Sequence, residues 1–234
     1  KTGERQWHYQ FIHHDIWDWD LPNAPIIADL PNGRKIVMSV TKQAWIYAFD
    51  RLTGEPIWPI VERPVPKGDV PGEWYSPTQP FPTRPAAFDR QGFTEEDLID
   101  YTPELRAMAL EAVQDFRLSK TIFTPPSLQD HPDGTRGLLS LPSSTGGANW
   151  EHSAFDPETG IVYVPSRTQL QVLALAKNPD SDIELSQGFG VRAPRVQGLE
   201  IVKPPYGRVT AIDMNSGEHL WWIANADTPE RIKN

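Results

Sequence analysis

The chain has 234 residues and no cysteine, carries a formal net charge of −9 and is long enough for one sizeable hydrophobic core. The missing cysteines exclude disulfides, thiolate metal sites and a cysteine nucleophile, and the acidic balance disfavours binding to the phosphate backbone of nucleic acid. The 24 prolines and 16 glycines favour a β-rich fold with many turns over a helical bundle.

The first notable stretch is a run of aromatic and acidic residues near the start of the chain. Carboxylates that lie beside large apolar side chains are candidates for shifted pKa values and for metal binding. The preceding neighbours His13 and His14 point to opposite faces of an extended chain, so we do not expect them to share one ion. The run alternates as Asp15, Trp17, Asp18, Trp19 and Asp20.

A short motif occurs three times, with a hydroxyl residue, Gly, Glu, two variable residues and Trp. The copies are residues 2–7 (TGERQW), 53–58 (TGEPIW) and 216–221 (SGEHLW). Alternating apolar runs that end in Asp precede the second and third copies. We interpret each as a strand, a tight turn with glycine at positive φ, and a return strand that carries a buried Trp.

The aspartates and tryptophans of this motif have structural explanations. A short carboxylate in a turn bonds its own backbone, which is our reading of Asp50, Asp156 and Asp213. Large aromatic side chains at repeated positions favour packing between repeats, so we expect Trp7, Trp58 and Trp221 to join neighbouring blades. The Asp156 turn is followed by Gly160 without the Trp.

The spacing of the motif predicts a β-propeller. Gly3 and Gly54 are about 50 residues apart, close to the period of a propeller blade. Further along the chain we expect a Pro-rich extended stretch, two helices, several strands and a long polar loop. These lie at 62–90, at 94–98 and 103–113, at 137–141, 149–156 and 161–165, and at 177–207.

The predicted fold class is therefore all-β, a partial β-propeller forming one domain over residues 1–234. An insertion at roughly 62–136 carries the Pro-rich stretch and the helices. The strands account for roughly three to four blades, whereas closed propellers have about 4–8. We expect the chain to be a piece of a longer protein whose remaining blades are its partner.

Several motifs in order make the chain resemble the pyrroloquinoline-quinone (PQQ)-dependent dehydrogenases of the quinoprotein glucose and alcohol dehydrogenase type. They are residues 7–10 (WHYQ), 14–22 (HDIWDWDLP), 41–43 (TKQ), 49–56 (FDRLTGEP), 64–66 (PVP), 69–73 (DVPGE), 76–82 (SPTQPFP), 146–150 (GGANW) and 205–213 (PYGRVTAID). The resemblance implies an eight-bladed propeller with PQQ near its axis, bound to calcium, magnesium or a lanthanide.

The resemblance also implies roles for individual residues. Asp18 matches the catalytic base and a metal ligand, and Asp20 matches a position that adds a carboxylate to the metal site in lanthanide-using relatives. Lys42 matches the basic residue that contacts the quinone oxygens, and Asn149 with Trp150 matches a cofactor-contacting pair. Other metal ligands precede residue 1 in the family, so we expect this chain to be inactive alone.

Asp18 as a base, Lys42 as a cation and a bound metal ion together suit the oxidation of a sugar or alcohol hydroxyl, with electrons passed to a quinone or cytochrome. The resemblance implies a periplasmic location, and the acidic net charge implies no nucleic-acid partner. Two alternatives remain: a non-catalytic propeller that binds protein partners, and a glycoside hydrolase with Asp18 and Asp20 as its acid/base pair.

Overall fold

The computed structural model describes residues 2–177, 179–180, 182–188 and 190–227, and most of its regular structure is β-strand. The predicted domain limits of 1 and 234 lie outside these residues. The first strands are β1 (Ile26–Asp29), β2 (Lys35–Val40), β3 (Ile46–Asp50), β4 (Ile60–Pro64), β5 (Thr78–Pro82), β6 (Arg117–Leu118), β7 (Ser127–Leu128) and β8 (Leu138–Ser140). The later strands are β9 (Ala154–Asp156), β10 (Ile161–Arg167), β11 (Gln171–Lys177), β12 (Leu185–Gln187), β13 (Arg195–Val196), β14 (Leu199–Glu200), β15 (Gly207–Asp213) and β16 (Glu218–Ala224).

Two antiparallel sheets have the form of propeller blades. The first has the order β1-β2-β3, and an isolated bridge between Phe49 and Pro56 adds the start of a fourth strand. The second has the order β16-β15-β10-β9. The two sheets pack against each other through one apolar cluster that contains Ile36, Met38 and Ile46 from the first sheet and Val162 and Ile212 from the second.

A third sheet has the order β12-β11-β8-β6. Its strands β6 and β8 precede the second blade in sequence, and β11 and β12 lie between the blade strands β10 and β15. β7 pairs in parallel with β11, and the pairs β4–β5 and β13–β14 form separate hairpins. The only α-helix of the described residues, α1 (Pro103–Ala112), has Pro at its first position and Thr102 as its N-cap. α1 packs into an apolar cluster with this third sheet.

Three hairpin turns share one geometry. In each turn a glycine at φ +77° donates its amide to the carbonyl of the Asp four residues earlier. The Asp side chain accepts hydrogen bonds from the following turn residues, as it does from the amides of Leu52 and Thr53, both at 2.9 Å. The Asp–Gly pairs are Asp50–Gly54, Asp156–Gly160 and Asp213–Gly217. The turn prediction is confirmed.

The tryptophans of the motif pack on the glycines of the next copy. A Cβ added at Gly54 would lie 2.6 Å from ring atoms of Trp7, and one added at Gly217 would lie 2.9 Å from the ring of Trp58. Glycine thus provides both the positive φ and the space for a neighbouring indole. Trp221 is different, because it is 44% exposed, so its predicted burial is wrong for the described part of the chain.

Several secondary-structure predictions need correction. The stretch predicted as a strand from residue 149 turns tightly at His152, with φ 55°, and β9 begins only at Ala154. The first predicted helix is a short 3-10 turn, Glu95–Asp97, closed by Thr94 and Asp97. The Pro-rich stretch predicted as extended at 62–90 overlaps the hairpin β4–β5, whose first strand begins at Ile60, and the predicted loop at 177–207 contains three short strands.

The outer strand of the second blade exposes a row of apolar residues. The row on β16 comprises Leu220, Trp221, Trp222 and Ile223, each at least 44% exposed.

Within the described ranges, no helix has the length and apolarity needed to cross a bilayer.

The contact between Gly54 and Trp7 can be tested with Gly54→Ala. The added Cβ meets the indole and strains the positive φ, so we expect a loss of about 1–3 kcal/mol in the free energy of unfolding. Denaturant unfolding measures this. Gly33→Ala is the matched control, since Gly33 also has positive φ, of 86°, but has nothing within 4 Å of its added Cβ. Equal losses in both variants would contradict the Trp7 contact.

Candidate active site

The segment that contains Asp18 is an irregular loop with a fixed shape. Asp18 has a positive φ of 63°, a conformation that is uncommon for a residue other than glycine. The Asp15 carboxylate accepts hydrogen bonds from the amides of Trp17, at 2.9 Å, and Trp19, at 2.5 Å. These bonds bracket Asp18 and turn its side chain outward, where it is 66% exposed.

Two buried indoles support this loop from below. Trp17 and Trp19 stack with their ring centroids 5.3 Å apart and an interplanar angle of 13°. The Trp17 indole donates to the carbonyl of Thr124 at 2.8 Å, and the Trp19 indole donates to the carbonyl of Ser143 at 2.9 Å. Both rings contact Phe123 edge-on. The loop is thereby tied to two segments that are distant in sequence.

Lys42 places a cation beside the two exposed aspartates. Its side chain is 7% exposed and comes from the buried turn between β2 and β3. The Nζ atom donates to the backbone carbonyl of Asp18 at 2.7 Å and to Oδ1 of Asp20 at 2.5 Å, and lies 3.8 Å from Oδ2 of Asp18. A buried ammonium needs such partners to offset its lost hydration.

The glycine-rich loop after β8 packs on the Lys42 backbone. The Gly147 amide donates to the carbonyl of Lys42 at 2.8 Å, and a Cβ added at Gly146 would lie 2.4 Å from the Cβ of Lys42. Asn149 is held in this loop because its side-chain amide donates to the carbonyl of Thr145 at 2.7 Å. Only glycine, which has no side chain, allows the backbone at position 146 to approach Lys42 this closely.

A cavity of about 200 Å³ opens on this loop. Trp150 is 74% exposed at the cavity, and the guanidinium of Arg167 donates to the side chain of Gln169 at 3.3 Å. A planar ligand would meet an indole, an amide and a cation here. The lining residues are Thr145, Gly146, Gly147, Asn149, Trp150, Glu151 and Arg167.

A larger cavity, of about 680 Å³, lies between the end of α1 and the chain at 116–124. Thr124, one of its lining residues, accepts the indole hydrogen bond of Trp17. Arg117 lines it too, but its guanidinium is bound to Asp69 at 2.6 Å and to the carbonyl of Pro125 at 3.3 Å. The predicted site residues lie at the smaller cavity and around Lys42.

The structure brings Asp18, Asp20 and Lys42 into direct contact, and Asn149 and Trp150 follow the loop that packs on Lys42. His13 and His14 instead bind Glu62, at 2.9 Å, and Glu73, at 2.8 Å. Among residues 2–227, with the three internal gaps set aside, no three carboxylate or imidazole side chains converge on a metal position. Within the described residues, Lys42 forms its ion pairs with the carboxylates of Asp18 and Asp20.

Sequence reasoning named Asp15 only as one carboxylate of the aromatic and acidic run, and it gave no role to Thr145 or Arg167. Asp15 has a recognisable sequence signal. Its carboxylate accepts a hydrogen bond from the amide two residues later, which is the pattern of an Asx turn. Desolvation raises the pKa of the Asp15 carboxyl, while the hydrogen bonds from Trp17 and Trp19 lower it. Asp15 is exposed as a whole residue, and the two hydrogen bonds from Trp17 and Trp19 hold its carboxylate in place.

Comparison with known proteins gives one consistent result. The profile of a family described as "PQQ: Glucose/ethanol/alcohol dehydrogenase, beta-propeller domain" matches residues 1–234. The quinate/shikimate dehydrogenase (quinone) of Acinetobacter baylyi is 31% identical over 95% of this chain and 30% of its own length. The quinoprotein glucose dehydrogenase of Escherichia coli is 29% identical over 94% of this chain and 30% of its own length.

Among solved structures, the quinohemoprotein alcohol dehydrogenase from Comamonas testosteroni has a TM-score of 0.50 and 19% identity. It matches 97% of this chain and 28% of its own length, and at this identity the similarity supports the fold alone. The chain thus spans about 30% of the length of the curated relatives described above.

The support from the buried indoles can be tested with Trp19→Phe. This change leaves the Ser143 carbonyl without its donor and opens a small cavity, so we expect a loss of about 2–4 kcal/mol in the free energy of unfolding. Denaturant unfolding followed by circular dichroism measures it. Trp150→Phe, at an indole that is 74% exposed, is the control and should change stability by less than about 0.5 kcal/mol. Similar losses in both variants would contradict the structural role of Trp19.

Proposed function

The chain belongs to the PQQ-dependent glucose/ethanol/alcohol dehydrogenase family of β-propeller domains, and from that premise we propose that the native protein oxidises a hydroxyl group of an alcohol or sugar. Related proteins are named for quinate, glucose and glycerol oxidation, so the substrate class is a polyhydroxy compound or simple alcohol. The contact between Lys42 and the carboxylates of Asp18 and Asp20 is the observation that carries the proposal.

We assign Asp18 as the base. Its carboxylate faces outward from a fixed loop, 66% exposed, so a substrate hydroxyl can approach it without displacing protein. Oxidation of an alcohol requires removal of the hydroxyl proton as hydride leaves the carbon. Lys42 holds the Asp18 backbone carbonyl at 2.7 Å and so limits the positions that the base can adopt.

The residues around Lys42 fit an anionic planar cofactor. When bound, PQQ would supply the electrophilic quinone carbon that accepts the hydride. Lys42 offers a positive charge beside Asp18 and Asp20. Asn149 offers an amide, Trp150 an aromatic face and Arg167 a second cation at the neighbouring cavity, which Glu151 also lines. A largely buried ammonium stabilises negative charge that develops on a nearby oxygen, because it is already oriented and little water screens it.

The donor set also fits part of a metal site. Carboxylate oxygens are the ligands preferred by calcium, magnesium and lanthanides, and Asp18 and Asp20 would provide them here. Calcium takes about 6–8 oxygen ligands, so Asp18 and Asp20 would supply only part of its coordination. Asp20 is bound to Lys42 at 2.5 Å, which means that metal binding and the Lys42 ion pair share one carboxylate.

We further propose that activity requires the remaining blades of the propeller, since the matched relatives are about three times as long as this chain. Electrons would pass to a quinone or a cytochrome, and the protein would act in the periplasm. The non-catalytic scaffold remains the second candidate. It is weakened by the convergence of Asp18, Asp20 and Lys42, which the packing of the blades does not require.

The proposal is tested with the native full-length protein loaded with PQQ and calcium. Reduction of a phenazine dye is measured with glucose, glycerol, quinate and ethanol as substrates. We expect Asp18→Asn to lower kcat by about 10²–10⁴-fold, because the amide cannot accept the hydroxyl proton. Binding of PQQ is measured separately by absorbance, since a variant that fails to bind the cofactor would be inactive for another reason.

Asp29→Asn is the matched control. Asp29 lies at the end of β1, is 65% exposed and forms an ion pair with Arg51 at 2.7 Å, away from Lys42. It should keep the wild-type kcat. If the wild-type protein binds no PQQ in the presence of calcium, the proposed dehydrogenase activity is refuted and the non-catalytic scaffold is favoured. If the Asp18→Asn variant keeps full activity, Asp18 is not the base.

A further inference from the structure

We infer that Asp15 is a positioning residue that fixes the Asp18–Trp19 peptide group between its own carboxylate and the Lys42 ammonium, and so sets the orientation of both Asp18 and Lys42. This inference rests on the proposed function for its catalytic consequence. The geometric claim stands by itself, because it concerns hydrogen bonds among residues of this chain.

One peptide group connects the two charges. Its N–H belongs to Trp19 and donates to Oδ2 of Asp15 at 2.5 Å. Its carbonyl belongs to Asp18 and accepts from Nζ of Lys42 at 2.7 Å. The two ends of a planar peptide cannot move independently, so a change in the Asp15 contact changes the position of the carbonyl that Lys42 binds.

The charges reinforce these hydrogen bonds. A carboxylate at the N–H end and an ammonium at the carbonyl end both favour the same polarisation of the peptide. Lys42, at 7% exposure, has few alternatives for its donors, and its other bond goes to Asp20. Loss of the Asp15 carboxylate would weaken one of the two acceptors that hold the buried cation in place.

The backbone of Asp18 needs this support. A non-glycine residue at φ 63° is in a sparsely populated region and persists only when its surroundings hold it there. Asp15 bonds the amide on each side of Asp18, and the indoles of Trp17 and Trp19 are anchored to Thr124 and Ser143. The indoles fix the outer ends of the loop, while Asp15 and Lys42 hold the two ends of the peptide at its centre.

The substitution Asp15→Asn removes one of the two acceptor oxygens that bind the backbone amides, with little change in side-chain size. The asparagine side chain has one acceptor oxygen, and its amide cannot accept from a second N–H. The first measurement is hydrogen exchange by mass spectrometry on a peptide that spans residues 13–21 in the native full-length protein without cofactor. We expect the amides of Trp17 and Trp19 to exchange about tenfold faster in the variant.

The second measurement is kinetic, with the protein loaded with PQQ and calcium. We expect kcat to fall by about tenfold or more while KM changes by less than about threefold, because the substrate itself does not touch Asp15. In a Lys42→Ala background the Asp15→Asn change should cost much less, since the two residues act through one peptide. Fully multiplicative losses would overturn the coupling.

Asp50→Asn is the matched control. Asp50 also accepts two backbone amides, those of Leu52 and Thr53, but in a hairpin turn of the first blade. It should keep the wild-type exchange of the 13–21 peptide and a kcat within about twofold of wild type. An Asp15→Asn variant that matches Asp50→Asn in both measurements would overturn the inference.

The two measurements separate this inference from the proposed function. If the wild-type protein oxidises no alcohol, the proposed function fails, and the exchange measurement still decides whether Asp15 holds the peptide. Should Asp15→Asn not fold, Asp15→Ser, which keeps one short acceptor, provides the same comparison. Wild-type exchange in that variant would equally overturn the inference.

Discussion

The buried ammonium of Lys42 is the constraint around which this part of the molecule is arranged. An unpaired cation in a protein interior is unstable, so the surrounding segments must supply oxygen acceptors. The acidic loop supplies a backbone carbonyl and a carboxylate, and the glycine-rich loop packs closely on the Lys42 backbone and the start of its side chain. Three segments that are far apart in sequence therefore meet at one side chain.

Much of the scaffold was predictable because its signals are local. A hairpin turn with Asp, Gly and a following Glu is determined by hydrogen bonds within five residues and by the φ that only glycine adopts easily. The repeated position of Trp7 predicted that it packs between repeats, but not that its indole lies on Gly54. The insertion of the third sheet into the second blade was not predictable, because strand order depends on long-range pairing that no local pattern records.

The candidate site was predictable in its members but not in its contacts. Family resemblance selected Asp18, Asp20, Lys42, Asn149 and Trp150, and two of these, Asp18 and Asp20, contact Lys42. Their roles remain predictions. The resemblance did not reveal that Asp20 is already engaged by Lys42, nor that Asp15 holds the loop, since both facts depend on the three-dimensional path of an irregular segment. The strand predicted through Trp150 was wrong for the same reason, because a left-handed residue at His152 turns the chain.

The exposed apolar row on β16 has a practical consequence for work with this polypeptide. Among the described residues β16 is at the edge of its sheet, and an edge strand with adjacent exposed tryptophans is a template for pairing with other chains. Residues 1–234 produced by themselves should tend to aggregate, whatever the quality of their internal packing. Solubility in recombinant expression then reports whether this edge is covered, and a charged substitution there, such as Ile223→Lys, is a rational first step toward a tractable sample.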